Sequence, residues 1–324
     1  HAAYLPLVHR AYTLWEDLEQ QTGQRLYHEV GILQVGRPDG EIVRGVRASA
    51  QAHALAIEEL APSELKRRFP GFDCPDSLTA LYEPRAGFLR VEQCVRAYAE
   101  LAKAAGAALL AGETVQNWKP TASGVEVTTD KGVHKARSLI ITAGAWAGDF
   151  LAQLGIRLEV VRKSLYWFEA SSHRYEIGHG GAGFIMETPT GNFYGFPSYG
   201  PYGVKVAEHT GGHPVSDPLH VSRDEDPEET ARVVAFNKSF LPELTSNTTR
   251  FATCLYTLSP DRNFIVDRHP EAPQVCFAAG LAGHGFKFTS VLGEILSDWS
   301  LSGATRQPVE FLNCRRPSLR SKNA

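Results

Sequence analysis

The segment Gly280-Leu-Ala-Gly-His-Gly-Phe-Lys287 combines three glycines with a terminal cation, a composition that suits a binding loop. Glycine has no side chain, so the backbone can approach a flat ligand closely. The apolar run 275–279 before the loop predicts a buried strand, and 287–301 predicts an amphipathic helix. A helix N-terminus carries partial positive charge, and Lys287 adds a full one, so the loop would stabilise negative charge on a ring. A plain strand-to-helix turn with a solvated lysine fits the same residues, and both interpretations stay open.

The second candidate is the thiol of Cys254, within the segment Thr253-Cys-Leu-Tyr-Thr-Leu-Ser-Pro-Asp261. A thiol beside a tyrosine and a turn can act as a nucleophile, but free cysteine is among the most buried residue types and is most often an inert core thiol. Tyr194, Tyr199 and Tyr256 are, taken alone, packing aromatics. The residue types by themselves do not decide between a reactive and a structural thiol.

The segment 178–183 matches the dinucleotide spacing G-x-G-x-x-G. That motif works only where a buried strand delivers a phosphate group to a helix N-terminus. Here no buried strand precedes it, and Pro189 and Gly191 keep the following residues from forming a long helix. We therefore reject a dinucleotide site at this position.

His209 and His213 have the i, i+4 spacing of a metal-binding pair. Gly211, Gly212 and Pro214 argue against the helix that would hold both side chains on one face, and no third ligand of convincing spacing is present. We predict no metal site from the sequence.

The composition is that of a globular α/β protein, with 324 residues, 43% hydrophobic residues and a net charge of −3. That charge gives no reason to expect nucleic acid as a partner. No apolar run reaches the ~20 residues of a membrane span, so we expect no membrane insertion. The five cysteines are scattered, which indicates reduced thiols and a cytoplasmic location. A peroxisomal location in a eukaryote stays open, although the terminal Ser-Lys-Asn-Ala is not the Ser-Lys-Leu address.

Hydrophobic periodicity predicts an alternation of helices and strands. Predicted helices cover 4–21, 62–70, 91–105, 228–240 and 287–301, and predicted strands cover 31–35, 138–142 and 275–279. A hairpin is expected around 125–132, and 156–259 is expected to be mostly strands and loops. Ser63 is a plausible cap for the second helix. Two helices carry apolar stripes, which are Val91, Val95, Tyr98, Ala102 and Ala105 in the third and Val291, Leu292, Ile295, Leu296 and Trp299 in the fifth.

Together these residues resemble the family of monomeric sarcosine oxidase, N-methyltryptophan oxidase and pipecolate oxidase, from about Tyr4 to Pro317. Six blocks in the family's order carry the resemblance: Gly87–Leu89 through Val95–Tyr98, Ile141–Trp146, Phe193–Pro197, Cys254–Thr257, Asp261–His269 and Gly283–Phe288.

The resemblance implies an FAD-dependent oxidase whose flavin is attached through its 8α-methyl group to Cys254. It implies that Lys287 lies near the flavin pyrimidine and helps hold the substrate carboxylate. It also implies that Lys205 lies near flavin N5 and activates dioxygen. His209, Tyr194 and Tyr256 match residues lining the amine site. The remaining matches are cofactor contacts: Thr114, Val115, Ala143, Gly144, Trp146, Gly280, Gly283, His284, Gly285 and Phe286.

The implied reaction passes a hydride equivalent from a neutral secondary amine to the flavin and then two electrons to dioxygen. The products are an imine and hydrogen peroxide. The implied partners are a small amino-acid substrate and O₂, and the implied state is a monomer.

The resemblance also implies an α/β (α+β) fold of two interleaved domains. The first is a Rossmann-like FAD-binding domain at 1–28, 88–155 and 262–324. The second is a mostly antiparallel-sheet substrate domain at 29–87 and 156–261. The family's first βαβ unit, with its G-x-G-x-x-G turn, has no counterpart in this sequence. We therefore expect a chain that is truncated by some fifty residues, judging from that ~30-residue unit and its connection.

Three alternatives remain at this stage. On the same fold, the enzyme could be a D-amino-acid oxidase or a quinone-coupled amino-acid dehydrogenase, although Cys254 and Lys205 favour the oxidase. From a different class, the chain could be an inactive fragment that does not hold FAD.

Overall fold

A computed structural model describes residues 2–320, so His1 and the terminal Ser-Lys-Asn-Ala of the sequence lie outside the described residues. No helix within 2–320 combines the length and apolarity needed to cross a bilayer. The chain divides into two compact units. The first contains the described residues up to Leu5, Tyr27–Leu89 and Val161–Leu255, and the second contains Pro6–Leu26, Arg90–Val160 and the described residues from Tyr256 onward. The assignment of the FAD and substrate roles to separate domains stays a prediction.

The helices of the described residues are α1 (Leu5–Thr22), α2 (Glu41–His53), α3 (Pro62–Arg68), α4 (Val91–Ala104), α5 (Gly148–Gln153), α6 (Pro227–Phe240) and α7 (Thr289–Ser302). The five helices expected from periodicity are confirmed, with ends within a few residues of the predicted ones.

The strands are β1 (Tyr27–Glu29), β2 (Ile32–Gly36), β3 (Glu58–Leu60), β4 (Thr79–Glu83), β5 (Gly87–Leu89), β6 (Val115–Thr121), β7 (Gly124–Thr129), β8 (Val133–Ala136), β9 (Leu139–Ile141), β10 (Glu159–Ala170), β11 (Gly183–Thr188), β12 (Gly191–Phe196), β13 (Val204–Glu208), β14 (His213–Pro214), β15 (Leu244–Leu258), β16 (Ile265–Arg268) and β17 (Val275–Ala279). The strand-rich character predicted for 156–259 is confirmed.

The first unit is built on a nine-stranded sheet. Eight of its strands follow the order β14-β10-β13-β12-β11-β2-β4-β3, and β15 also pairs with β10. The β11–β2 pair is parallel, whereas β13 pairs antiparallel with both β10 and β12. Side chains therefore alternate between the two faces along each of these strands.

One face of this sheet carries the core of the first unit. Tyr166 and Phe168 of β10 are fully buried, as are Val204 and Val206 of β13. Phe236 of α6 stacks on the ring of Phe193 with centroids 4.3 Å apart. Because these residues alternate with their neighbours, the intervening side chains on β10, β12 and β13 lie on the opposite face.

The second unit contains a smaller sheet in the order β16-β17-β9. β17 and β9 are parallel, so their carboxyl ends lie at the same edge. α7 packs on β17 through the stripe predicted from the sequence, in which Val291, Leu292, Ile295 and Leu296 are buried. A separate antiparallel sheet, β6-β7-β8, contributes Val125 to a cluster with Val275.

Two local predictions are wrong. The stripe Val91, Val95 and Tyr98 of α4 is 43%, 55% and 39% exposed, and α4 instead buries Cys94 and Ala97. At 100° per residue the buried pair lies about 100° around the helix from the stripe, so packing and not hydrophobicity alone sets its orientation. Ser63 is not the cap of α3, because the helix begins at Pro62 and its N-cap is Ala61. Proline fits the first helical position, where an N–H would have no intrahelical partner.

Asp261 connects the turn after β15 to the C-terminal segment. Arg316 donates to it through Nε at 2.7 Å and Nη2 at 2.8 Å, and Ser318 and the Asn263 N–H donate as well. The side chains of Asp261 and Arg316 are 13% and 10% exposed. Burial by itself raises the pKa of Asp261, but the bonds from Arg316 and Ser318 outweigh it and hold that pKa well below its usual range.

We predict that Asp261→Asn lowers the free energy of unfolding by about 2–4 kcal/mol, because Arg316 would be left nearly buried without its counter-charge. A depressed folded-state pKa stabilises the native state above the unfolded value of about 4, and this stabilisation is lost as pH falls. The difference between the variant and the parent, measured by urea unfolding, should therefore shrink below about pH 4.

The matched control is Asp39→Asn, which removes a carboxylate paired with Arg37 at about 70% exposure on both sides. That change should cost less than about 1 kcal/mol. Equal losses in the two variants would contradict a special role for the Asp261–Arg316 pair.

Candidate active site

Cys254 lies on β15 and is half-buried, whereas Cys74, Cys94, Cys276 and Cys314 are all buried. Burial raises the pKa of Cys74 and Cys314 to about 12 and that of Cys94 and Cys276 to about 11. All five cysteines belong to the described residues and all are free thiols. The accessible thiol is therefore the one that the sequence predicted to react.

Lys205 occupies the face of the nine-stranded sheet opposite the core. It lies on β13 between the buried residues Val204 and Val206, beside Trp167 of β10 and Phe196 of β12. Its Nζ is 5.3 Å from the ring centroid of Trp167, 5.5 Å from that of Phe196 and 5.9 Å from that of Tyr194. Cation–π attraction of this kind is worth about 0.5–2 kcal/mol per contact, so the rings stabilise an ammonium on this face.

Strand alternation places Cys254 on the same face as Lys205. Arg250, four residues earlier on β15, lies 4.8 Å from the ring centroid of Trp167, whereas Phe251 contacts the core residue Tyr166. Residues with even numbers on this part of β15 therefore face Lys205, and Cys254 is one of them.

The electrostatics of Cys254 reflect this position. Burial raises the pKa of its thiol, and the charges of Lys205 and Arg223 partly oppose that rise. Arg223 is held beside the strand because it donates from Nη1 to Thr253 Oγ1 at 2.9 Å. Two cations thus favour the thiolate, which is the reactive form of cysteine.

Tyr194 and His209 lie near the same ammonium. Tyr194 is on β12, and its ring is perpendicular to that of His209, with centroids 6.2 Å apart. The His209 N–H donates to the Asn192 carbonyl at 2.6 Å, which continues the β12–β13 pairing beyond the strand end. The first unit therefore brings together four of the predicted site residues: Cys254, Lys205, Tyr194 and His209.

The sequence patterns do not mark Trp167, Phe196, Arg223 or Arg250 as site residues. Trp167 belongs to the run Leu165-Tyr-Trp-Phe168, which is apolar on both faces and so hides its alternation. Arg223 lies on the segment before α6 and donates to Thr253, and Arg250 contacts Trp167 of the neighbouring strand β10. Both partners are distant in the sequence, so no local spacing could have identified them.

The loop from Gly280 to Lys287 belongs to the second unit and follows β17, as predicted. It is tied to the end of β15, because the Ala282 N–H donates to the Thr257 carbonyl at 2.9 Å and the Leu281 N–H to Thr257 Oγ1 at 3.3 Å. The helix after it differs slightly from the prediction, since a 3₁₀ turn over Phe286–Phe288 precedes α7.

Tyr256 explains the glycine at position 283. Gly283 has a φ of 74°, and a Cβ built there would lie 2.2 Å from the Tyr256 ring. Tyr256 itself is 5% exposed. Only glycine lets the loop pass so close to the ring, so this predicted pair is in contact within the second unit.

Lys287 is exposed and its backbone is fixed. The Trp15 indole Nε1 donates to the Lys287 carbonyl at 2.9 Å, and the Trp15 ring stacks on Phe286 with centroids 5.9 Å apart. The ring of His284 lies 4.8 Å from that of Phe264. Sequence analysis had not assigned a role to Trp15, which α1 positions against the loop.

The segment Ala143–Trp146 follows β9 as a 3₁₀ turn. Because β9 and β17 are parallel neighbours, this turn and the Gly280–Lys287 loop extend from the same edge of the sheet, where α/β proteins commonly bind ligands. Gly144 has a φ of 55°, and a Cβ there would meet no atom within 4 Å. Thr114 and Val115, by contrast, lie at the start of β6, where the Thr114 N–H donates to Asp130.

Comparison with known proteins finds relatives over most of the chain. The chain is 36% identical to monomeric sarcosine oxidase of Arthrobacter sp. strain TE1826, over 98% of this chain and 83% of the relative. It is 33% identical to N-methyl-L-tryptophan oxidase of Yersinia pestis, over 90% of this chain and 78% of the relative. The solved structure of NikD, described as an unusual amino acid oxidase essential for nikkomycin biosynthesis, matches with 27% identity and a TM-score of 0.82, over 95% of this chain and 82% of that one.

A likeness at lower identity supports the fold alone. L-proline dehydrogenase from P. horikoshii matches with 22% identity and a TM-score of 0.83, over 97% of this chain and 83% of that one. The family profile described as FAD dependent oxidoreductase (DAO) matches residues 1–299. The mixed α/β fold expected from the sequence is thereby confirmed, and the chain belongs to the FAD-dependent oxidoreductase family.

Proposed function

We propose that this protein is a flavin-dependent oxidase of N-methyl or cyclic secondary amino acids. The relatives named for sarcosine and N-methyltryptophan support the substrate class. The observation that carries the proposal is the pairing of an accessible thiol with an ammonium surrounded by rings, Cys254 and Lys205, on one sheet face. An amino-acid oxidase whose flavin is not covalently attached would need no thiol at that position.

The residues of the second unit fit FAD. Two turns extend from the carboxyl edge of a parallel strand pair, and the backbone at Gly144 is open to a ligand. Lys287 adds a positive charge at the end of the second turn, where negative charge on a reduced ring would be stabilised. We infer that the cofactor is held by Ala143, Gly144, Trp146, Gly280, Gly283, His284, Gly285, Phe286 and Lys287, together with Thr114 and Val115.

When bound, FAD supplies a two-electron acceptor that is reoxidised by dioxygen. Lys287 would bind the substrate carboxylate and disfavour the ammonium form of the amine, since two nearby cations repel. Tyr194 and His209 would contact the amine substrate, as would Tyr256, and their rings would exclude water from it. Lys205 would hold a fixed positive charge where negative charge develops on oxygen.

We infer that Cys254 is the attachment point of the flavin. Attachment would exchange the S–H bond of Cys254 and one C–H bond of the 8α-methyl group for a C–S bond. The two electrons and two protons released would pass to dioxygen, which would become hydrogen peroxide. The thiolate is the form that attacks, and the charges of Lys205 and Arg223 favour it against the effect of burial. The four other thiols are buried.

We further infer a monomer in a reducing, cytosol-like compartment. The sarcosine oxidase relatives are named as monomeric, and all five cysteines are free.

The substrate class is tested by incubating the purified protein with sarcosine, pipecolate and N-methyltryptophan under air. We expect one equivalent of hydrogen peroxide per amine consumed for at least one of them. Turnover that needs an added quinone would instead indicate a dehydrogenase. Turnover restricted to primary D-amino acids would indicate the other alternative, and a colourless folded protein would indicate an inactive fragment.

Acid precipitation tests the attachment. We expect the yellow colour to remain in the pellet of the parent protein and to be released into the supernatant from Cys254→Ser. The reason is that a serine hydroxyl is a far weaker nucleophile than a cysteine thiolate. Cys94→Ala is the matched control, since Cys94 is fully buried on α4. Colour retained in the Cys254→Ser pellet would show that another residue forms the bond.

Rapid mixing tests Lys205. Removing its charge in Lys205→Met should slow reoxidation by dioxygen about 100-fold, as loss of a preorganised electrostatic contact does. Reduction by the amine should change only several-fold. Lys238→Met, on the exposed side of α6, is the charge-matched control and should leave both half-reactions unchanged. Equal slowing of both half-reactions in Lys205→Met would contradict the assigned role.

A further inference from the structure

A groove of about 460 Å³ lies in the first unit, on the segment between β14 and α6. Its wall includes two histidines, His213 and His220, and the acidic residues Asp217, Asp224, Glu225 and Asp226. None of these residues takes part in the oxidase chemistry proposed above.

Three side chains converge at one side of this groove. The atoms His213 Nε2, Asp226 Oδ2 and Glu229 Oε1 all lie within 4.8 Å of one another. The histidine nitrogen is 3.3 Å from the Asp226 oxygen and 3.5 Å from the Glu229 oxygen. Two ligands bound tetrahedrally to a metal at about 2.0–2.2 Å are roughly 3.3–3.6 Å apart, so both distances match ligand–ligand edges.

The two carboxylates are each fixed through their other oxygen. Asp226 Oδ1 caps α6 by accepting from the N–H groups of Glu228 and Glu229 at 2.8 and 3.2 Å. Glu229 Oε2 accepts from Arg162 Nη1 at 3.0 Å and from Ser164. One oxygen of each carboxylate is thereby oriented toward His213, and supporting hydrogen bonds of this kind are typical of metal ligands.

The burial of Glu229 supports its assignment as a metal ligand. The residue is 6% exposed and is therefore nearly removed from water.

The groove carries an excess of acidic side chains. Around the cluster itself the formal charges balance, with Asp226, Glu229 and Glu208 against Arg162, Lys163 and Arg232. Arg162 is fully engaged, because its Nε donates to the Ser222 carbonyl at 2.9 Å and its Nη2 to the Asp224 carbonyl. The remaining acidic side chains of the groove add to the negative charge.

We propose that His213, Asp226 and Glu229 form a binding site for a divalent cation of the zinc class, with its remaining coordination position open to the groove. Imidazole with two carboxylates is a ligand set that zinc accepts. The cation would join β14 to the N-terminus of α6 and so hold the connecting segment 215–225. The rival explanation is a protonated His213 that forms ion pairs with both carboxylates and binds no metal.

Equilibrium dialysis against Zn²⁺ tests the site, with the purified protein first freed of metal by a chelator. At about pH 7.5, where an ordinary imidazole is neutral, we expect one equivalent of zinc to bind with a dissociation constant in the micromolar range or below. Binding should also raise the melting temperature, and a chelator should reverse the rise.

Two variants and a control locate the binding. His213→Ala changes an exposed residue, and Asp226→Asn keeps an N-cap of equal quality while removing the charge. We expect zinc affinity to fall at least ~30-fold in the first and ~10-fold in the second, as loss of metal-site residues does. His220→Ala, on the same groove, pairs only with Asp217 in the described contacts and should stay within about twofold of the parent.

Two results would overturn the proposal. One is the absence of saturable zinc binding in the parent protein, which would leave the ion-pair explanation in its place. The other is zinc binding of unchanged affinity in both His213→Ala and Asp226→Asn, which would place the cation elsewhere, for example on a thiol. Melting curves of the two variants show whether each is folded, so a loss of affinity in a folded variant supports the site.

Discussion

The two-faced packing of the nine-stranded sheet is the constraint from which the chemistry of the first unit follows. One face is sealed by Tyr166, Phe168 and Val206 against α6, so the alternate residues must lie on the other face. A lysine at position 205 therefore cannot enter the core without displacing its neighbours. Its ammonium instead lies among Trp167, Phe196 and Tyr194, which lower the cost of keeping a charge close to apolar surface.

In the second unit, the arrangement of two turns allows the backbone to approach a ligand. Parallel β9 and β17 bring two separate turns to one sheet edge, although they are more than a hundred residues apart in the chain. The turn after β17 is hydrogen-bonded to Thr257 and packs on the Tyr256 ring, which only a glycine at position 283 permits. The protein itself therefore holds the shape of the turn. A site built this way is largely preformed, which reduces the ordering cost of binding.

Sequence patterns predicted the elements better than the surfaces they present. The stripe of α7 and the strand Val275–Ala279 were predicted correctly, because a buried run next to a 3.6-residue period has few alternative structures. The face of α4 was predicted wrongly, because a local period identifies an apolar stripe without showing what covers it. Likewise, Cys254 could be singled out only through a family resemblance, and its exposure relative to the other thiols depends on tertiary packing.

The same limit explains why no sequence pattern identifies the partners of His213. Asp226 and Glu229 follow at intervals of 13 and 16 residues, which match no helical or strand period, and they converge only because α6 begins beside β14. Helix capping then decides the geometry, since a capping carboxylate has one oxygen committed to backbone N–H groups and one directed away from them. A cap that adjoins a histidine and a buried glutamate can therefore stabilise a helix and bind a cation with different atoms of one side chain.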